Sequence, residues 1–139
     1  MTAPTFDTND TEASLTPLEL AALCAKVAED FRGGDTIVLD MTGITPVFDY
    51  FVITTGASQR QMRALGDEIA RTLRDRGSSR LGVEGETGSP WILYDYGDIV
   101  LHVMTAEARA MYELEELWGD AVRVDWRKLT GTPEPAPLA

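Results

Sequence analysis

The stretch WILYDYGDIVLHVM, residues 91–104, constrains the fold more than any other part of this chain. Two apolar runs flank DYGD, a tetrapeptide of turn-forming residues, so the segment reads as a β-hairpin. An isolated hairpin is marginal in water and needs more strands or a packed helix. With Tyr96 and Gly97 as a two-residue turn, Tyr94 opposes Ile99 and Trp91 opposes His102. Side chains alternate across a strand, which puts Ile92, Tyr94, Ile99, Leu101 and Val103 on one uniformly apolar face. Trp91, Leu93, Val100, His102 and Met104 share the other.

The remainder of the chain supplies what the hairpin needs. Thr16, Pro17 and Glu19 make a capping box with proline at the first helical position, opening a helix whose apolar residues Leu20, Cys24, Val27 and Phe31 recur at helical spacing. Gly33 and Gly34 end it. TIVLD (36–40) and YFVITT (50–55) read as strands, and the loop between them is too short for a crossover helix, which predicts an antiparallel pair. Ser58 with Gln61 predicts a second capping box, starting a helix with Met62, Leu65, Ile69 and Leu73 buried. LGVEGETGSP is a glycine-rich loop with room for a short strand. A third helix is expected from about Ala106 to Trp118, with Met111, Leu114 and Trp118 on one side, and AVRVDW as an edge strand. Interleaved helices and strands predict an α/β fold, a mixed sheet of four to five strands packed with helices.

The 139 residues suit one domain. Residues 1–15 read as a disordered acidic tail, 16–128 as the folded domain, and 129–139 as a Pro-rich tail. The N-terminus lacks the apolar core of a signal peptide, no run is long enough to span a membrane, and the one cysteine permits no internal disulfide. A cytoplasmic protein is expected. Twelve Lys and Arg against 23 Asp and Glu leave a net charge of −11. Such a field repels phosphate backbones and anionic membranes, so little direct RNA binding is expected, and it favours basic partners.

Catalytic constellations are sparse. One histidine cannot make a two-His metal site, and no serine sits in a nucleophile elbow. TGAS (55–58) could cradle a phosphate at a helix N-terminus, but the motif is too short to be specific and an ordinary tight turn followed by an N-cap is the favoured reading. The acid pairs Glu84/Glu86 and Asp95/Asp98 read as solvated loop residues. Neither a catalytic site nor a cofactor or metal is expected. The mixed hairpin face has two readings: a second core layer covered by helices, with His102 a packed residue, or the centre of a protein interface, where aromatics and Met are enriched.

DYFVITTGASQRQMRALGDEI, GVEGE, WILYDYGDIVLHVM and EARAMYELEELWGDA together resemble the ribosomal silencing factor family, also called Iojap-like proteins, over about residues 16–125. The resemblance implies a nucleotidyltransferase-like fold without the strand-borne acid pair of those enzymes, hence a binding protein. It further implies attachment to the large ribosomal subunit through ribosomal protein fourteen. Bound there, the protein blocks joining of the small subunit and slows translation when nutrients are short. The hairpin face and the resemblance together nominate Trp91, His102 and Met104 as anchors, Asp95, Asp98 and Glu115 as an acidic rim, and Arg109 and Tyr112 as neighbours. Glu29, on the first helix, is expected to lie off this face and to matter little. A nucleotidyltransferase-like nucleotide-binding enzyme is the alternative. The protein is expected to be a monomer or a homodimer, and a dimer built on the mixed face would hide it.

Overall fold

A computed structural model describes residues 14–85 and 88–135. The expected tail over residues 1–13, Glu86 of one acid pair, and residues 136–139 lie outside the described residues. The elements, in chain order, are α1 (Pro17–Asp30), β1 (Gly34–Asp40), β2 (Tyr50–Gly56), α2 (Gln59–Asp75), β3 (Gly82–Glu84), β4 (Trp91–Asp95), β5 (Ile99–Thr105), α3 (Ala106–Tyr112), α4 (Leu114–Leu117), β6 (Val122–Val124) and α5 (Trp126–Thr130). The strands form one mixed sheet in the order β3-β4-β5-β2-β1-β6. Among the described residues that is six strands, one more than expected at most. β1 and β2 are antiparallel as expected, whereas β2 and β5 run parallel. The chain between them carries the crossover helix a parallel pair requires, α2.

α1 starts where the sequence places it. Thr16 Oγ1 accepts from Glu19 N–H and Glu19 Oε1 accepts from Thr16 N–H at 2.9 Å, closing the capping box. The helix is buried on more than one stripe: Ala21, Ala22, Ala25 and Ala28 are small enough to admit α2, α5 and the sheet around it. Phe31, expected in the buried stripe, is exposed because the helix ends one residue before it. Cys24 is fully buried, and desolvation pushes its thiol well above the ordinary range, which leaves it unreactive. In α2 the expected stripe of Met62, Leu65, Ile69 and Leu73 is buried. The capping box there is only half formed. Ser58 Oγ caps Gln61 N–H, but the Gln61 side chain accepts from Ala57 and donates to the Phe31 and Arg32 carbonyls at the end of α1.

The expected tail boundary after residue 128 falls inside α5. Trp126 is buried against α1 and its Nε1–H donates to the Thr36 carbonyl at 2.9 Å. A large aromatic with a satisfied polar handle holds this segment to the core, a contact that proline-rich composition downstream conceals. Helices α1, α2 and α5 thus cover one sheet face and make the larger core, with Leu65, Ile69, Ile92 and Leu101 at its centre. The opposite face carries a smaller core of Leu39, Met41, Phe51, Ile53, Val100, Met104, Ala108 and Leu114, covered by the short α3 and α4 with Phe48, Trp118 and Ala121 packed against it.

Candidate partner-binding face

The β4–β5 hairpin builds this second face, and its register differs from the expected one. Trp91 opposes Met104, Leu93 opposes His102 and Tyr94 opposes Leu101. Tyr96 N–H bonds to the Ile99 carbonyl, so the two turn residues are Gly97 and Asp98. The physical reason lies in the backbone. The expected turn demands positive φ at Tyr96, whereas the observed one needs it only at Gly97, which has φ +90° and carries no Cβ penalty. Asp95 Oδ1 accepts from Gly97 N–H at 2.8 Å and braces the turn. The slip is by two residues, so the division of side chains between faces is the expected one.

The cover over this face also departs from expectation. The single helix predicted from Ala106 to Trp118 breaks at Glu113, which sits in the left-handed region at φ +46° and separates α3 from α4. Leu114 is buried, but Met111 swings outward and is 74% exposed. Trp118 lies edge-on to Phe51, ring centroids 6.2 Å apart, and is partly buried against the smaller core. Arg109 holds the break together. It donates to Glu115 Oε2 at 3.1 Å, to Thr55 Oγ1 at 2.9 Å and to the Gly34 carbonyl at 3.3 Å. Both partners are largely shielded, so Arg109 and Glu115 act first as an internal clamp and are not free contact groups.

Two of the nominated anchors are corrected by burial. Met104 is 0% exposed and His102 only 3%, because β5 is an interior strand with α3 folded back over its end. Neither presents its side chain to solvent. What reaches the surface lies one layer out. The Trp91 ring is partly buried, its Nε1–H donates to His102 Nδ1 at 3.0 Å, and its face meets Tyr112 at 4.9 Å between centroids. Tyr112 is half exposed. His102 also meets Phe51 edge to face at 4.5 Å. Burial lowers the His102 pKa to about 4, so at neutral pH it is an uncharged acceptor for the indole.

Of the nominated residues, the structure brings Trp91, His102, Met104 and Tyr112 together. Arg109 and Glu115 lie around the break in the α3–α4 cover. Asp95 and Asp98 lie at the turn; Asp95 is about 13 Å along β4 from Trp91 at ~3.3 Å per residue, and Asp98 lies beyond it. Sequence reasoning missed Met111 and Leu117, both large, apolar and exposed. The assumption of one continuous helix put Met111 inside, and the only signal against it was the acid-rich YELEEL segment, a poor core stripe. Five carboxylates (Glu107, Glu113, Glu115, Glu116 and Asp120) and a single arginine occupy residues 106–121. The face is therefore apolar and strongly acidic at once.

Known proteins fit this geometry. The family model described as "Ribosomal silencing factor during starvation" matches residues 14–137. The chain belongs to the ribosomal silencing factor family. It is 40% identical over 103 residues to the ribosomal silencing factor of Bacillus subtilis, covering 74% of this chain and 87% of that one. A crystal structure of a protein from Chromobacterium violaceum superposes with a TM-score of 0.72 at 36% identity, covering 76% of this chain and 88% of that chain. The mouse protein named "Mitochondrial assembly of ribosomal large subunit protein 1" is 37% identical over 73 residues, covering 50% of this chain and 32% of that one.

Membership of this family carries a ribosome-associated role in silencing translation, a regulatory role and not a known enzymatic one. The TGAS segment agrees with the ordinary reading of its residues. A Cβ on Gly56 would come within 2.2 Å of Met62 Cγ, so this glycine lets β2 pass close to α2, and Ser58 is occupied as the N-cap. A cleft of about 860 Å³ opens beside α3, lined by Asp35, Arg109, Glu115, Arg123 and Arg127 among others. Its buried charges are already matched, Arg109 with Glu115 and Arg127 with Glu29. Met111, Tyr112 and Leu117 put three exposed large apolar side chains on the α3–α4 segment, while Val47, Leu81 and Val122 are exposed elsewhere.

Proposed function

We propose that this silencing factor binds the large ribosomal subunit through ribosomal protein fourteen, using the α3–α4 face. Bound there it occupies space the small subunit needs, and so slows translation under nutrient limitation. The observation that carries the reading is the half-exposed Tyr112 packed on the partly buried Trp91, with exposed Met111 on α3 and exposed Leu117 on α4 in a carboxylate-rich segment. Aromatics and Met supply most of the energy at interface centres, and complementary charge supplies speed and orientation. An acidic face suits a basic ribosomal protein better than bare RNA. The name of the mouse relative points to the large subunit as well.

Asp95 and Asp98 then form an outlying acidic rim, while His102, Met104, Arg109 and Glu115 support the face from within. Steric exclusion requires no chemistry, so no catalytic group or cofactor enters, and the fraction of blocked subunits follows affinity and concentration. A cytoplasmic protein is in keeping with a ribosomal partner; no described helix is long and apolar enough to cross a membrane. A homodimer built on this face would compete with the ribosome, and light scattering on the free protein distinguishes monomer from homodimer.

The deciding experiment mixes separated ribosomal subunits with excess protein at assembling magnesium and resolves them on a gradient. The expected result is protein comigrating with the large subunit and fewer whole ribosomes. Normal ribosome formation with the protein left at the top would reject the reading.

A further inference from the structure

His102 is the chain's one histidine, and it lies beneath the candidate face, not on it. Its Nδ1 accepts the indole N–H of Trp91. A neutral imidazole that accepts at Nδ1 must carry its hydrogen on Nε2. That Nε2 is buried and meets no acceptor within the described residues. A buried donor without a partner opposes folding. Phenylalanine would fill similar space, keep the edge contact with Phe51, and remove the orphan donor. What only the imidazole supplies at this position is a hydrogen-bond acceptor for Trp91.

The Trp91 backbone is already fixed. Its N–H donates to Ser89 Oγ, its carbonyl accepts from Ser89 Oγ–H, and its strand pairs with β5. The remaining freedom is in the two side-chain torsions that decide where the indole plane points. The bond to His102 selects one orientation, the one in which the ring meets Tyr112. Ordering an aromatic before binding reduces what association must fix.

We infer that His102 is a positioning residue: it holds the Trp91 indole in the orientation that packs on Tyr112 and offers the pair to the partner. This rests on the proposed reading of the face, and deepens it by separating the side chain that touches the partner from the one that aims it.

The test titrates large ribosomal subunits with the full chain and reads co-sedimentation. His102→Phe should weaken binding about tenfold, the scale of one neutral hydrogen bond, with a melting temperature close to wild type, because it removes the unpartnered Nε2–H but leaves the Trp91 indole N–H without its acceptor. His102→Gln, whose carboxamide oxygen can accept the indole N–H, should recover most of the loss. On a Trp91→Phe background, which has no indole N–H, His102→Phe should cause no further loss. Wild-type affinity in His102→Phe, or an undiminished loss on the Trp91→Phe background, would overturn the inference. Where His102→Phe does not fold, the indole resonance of Trp91 in 15N-labelled wild-type protein decides: slow exchange supports the hydrogen bond, solvent-like exchange overturns it. Wild-type protein that does not co-sediment rejects the partner reading itself, and this inference with it.

Discussion

Arg109 donates to Glu115 across the helix break at Glu113, and the same guanidinium reaches Thr55 and the Gly34 carbonyl on the neighbouring strands. One side chain therefore fixes the α3–α4 cover to the sheet. The side chains of Arg109 and Glu115 are 11% and 22% exposed, so solvent screens the pair only in part. Arg109→Ala leaves a partly buried carboxylate alone and removes three hydrogen bonds. It should destabilise the fold by about 2–3 kcal/mol, read by urea denaturation. Arg109→Lys should not restore the loss, because a single ammonium cannot reproduce the planar fork. A variant that melts like wild type would show that the clamp is not a structural element.

Glu113 holds a left-handed backbone with a side chain that gains nothing from it: φ is +46° and the residue is exposed. Left-handed geometry is unfavourable by roughly 1–2 kcal/mol for a residue with a Cβ. Glycine relieves that strain at the expense of a floppier unfolded chain. Glu113→Gly should therefore stabilise by up to about 1 kcal/mol in thermal unfolding. A lower melting temperature would mean that the glutamate carboxylate contributes more than its geometry suggests.

Gly66 reverses the usual rule for helices. Alanine in place of glycine in a helix interior normally stabilises by about 1 kcal/mol. Here a Cβ would fall 2.2 Å from Tyr94 Oη and 2.4 Å from Cζ, in the heart of the larger core. Overpacking typically destabilises by ~1–3 kcal/mol, occasionally more, and at these distances it should win. Gly66→Ala is expected to lower the melting temperature by several degrees.

Acid should weaken the fold through His102. Its pKa falls from 6.5 in the open chain to about 4 when buried, so between these values the unfolded chain binds more protons than the folded one. The stabilisation from keeping the ring neutral is complete above pH ~6.5 and lost progressively down to about pH 4, a term on the order of 3 kcal/mol. Carboxylates titrate in the same range. The measurement is therefore the difference in pH dependence between wild type and His102→Phe, and parallel curves would contradict the burial argument.

Exposed anchors should matter for binding and not for folding. Tyr112→Ala and Met111→Ala are each expected to weaken large-subunit association by about 1–2 kcal/mol, roughly five- to thirtyfold, with helicity unchanged. Glu29 is not the neutral control that its sequence position suggests, because it pairs with Arg127 and ties α1 to α5. Arg63, exposed on α2, serves instead. Equal losses at Arg63 and Tyr112 would argue against a contact localised on the α3–α4 face.

Local chemistry was legible in the sequence. Thr16, Pro17 and Glu19 located the start of α1, Ser58 that of α2, and the stripe from Met62 to Leu73 its buried side, since caps and helical periodicity act within a few residues. Strand alternation sorted the hairpin residues between faces correctly even though the register was off by two, because an even slip keeps every side chain on its face. Family motifs carried the ribosomal role, which no composition could supply.

Tertiary structure decided the rest. Arg109 spans the α3–α4 break and reaches strand residues more than fifty positions away in sequence, and no local rule reports such a contact. The turn settled on Gly97 and Asp98 because positive φ is inexpensive only at glycine. Whether His102 and Met104 were surface or core depended on which helices fold over β5. Periodicity shows that a face exists, but only packing shows what covers it. Burial of these two residues moved the candidate contact surface outward, to Trp91 and Tyr112.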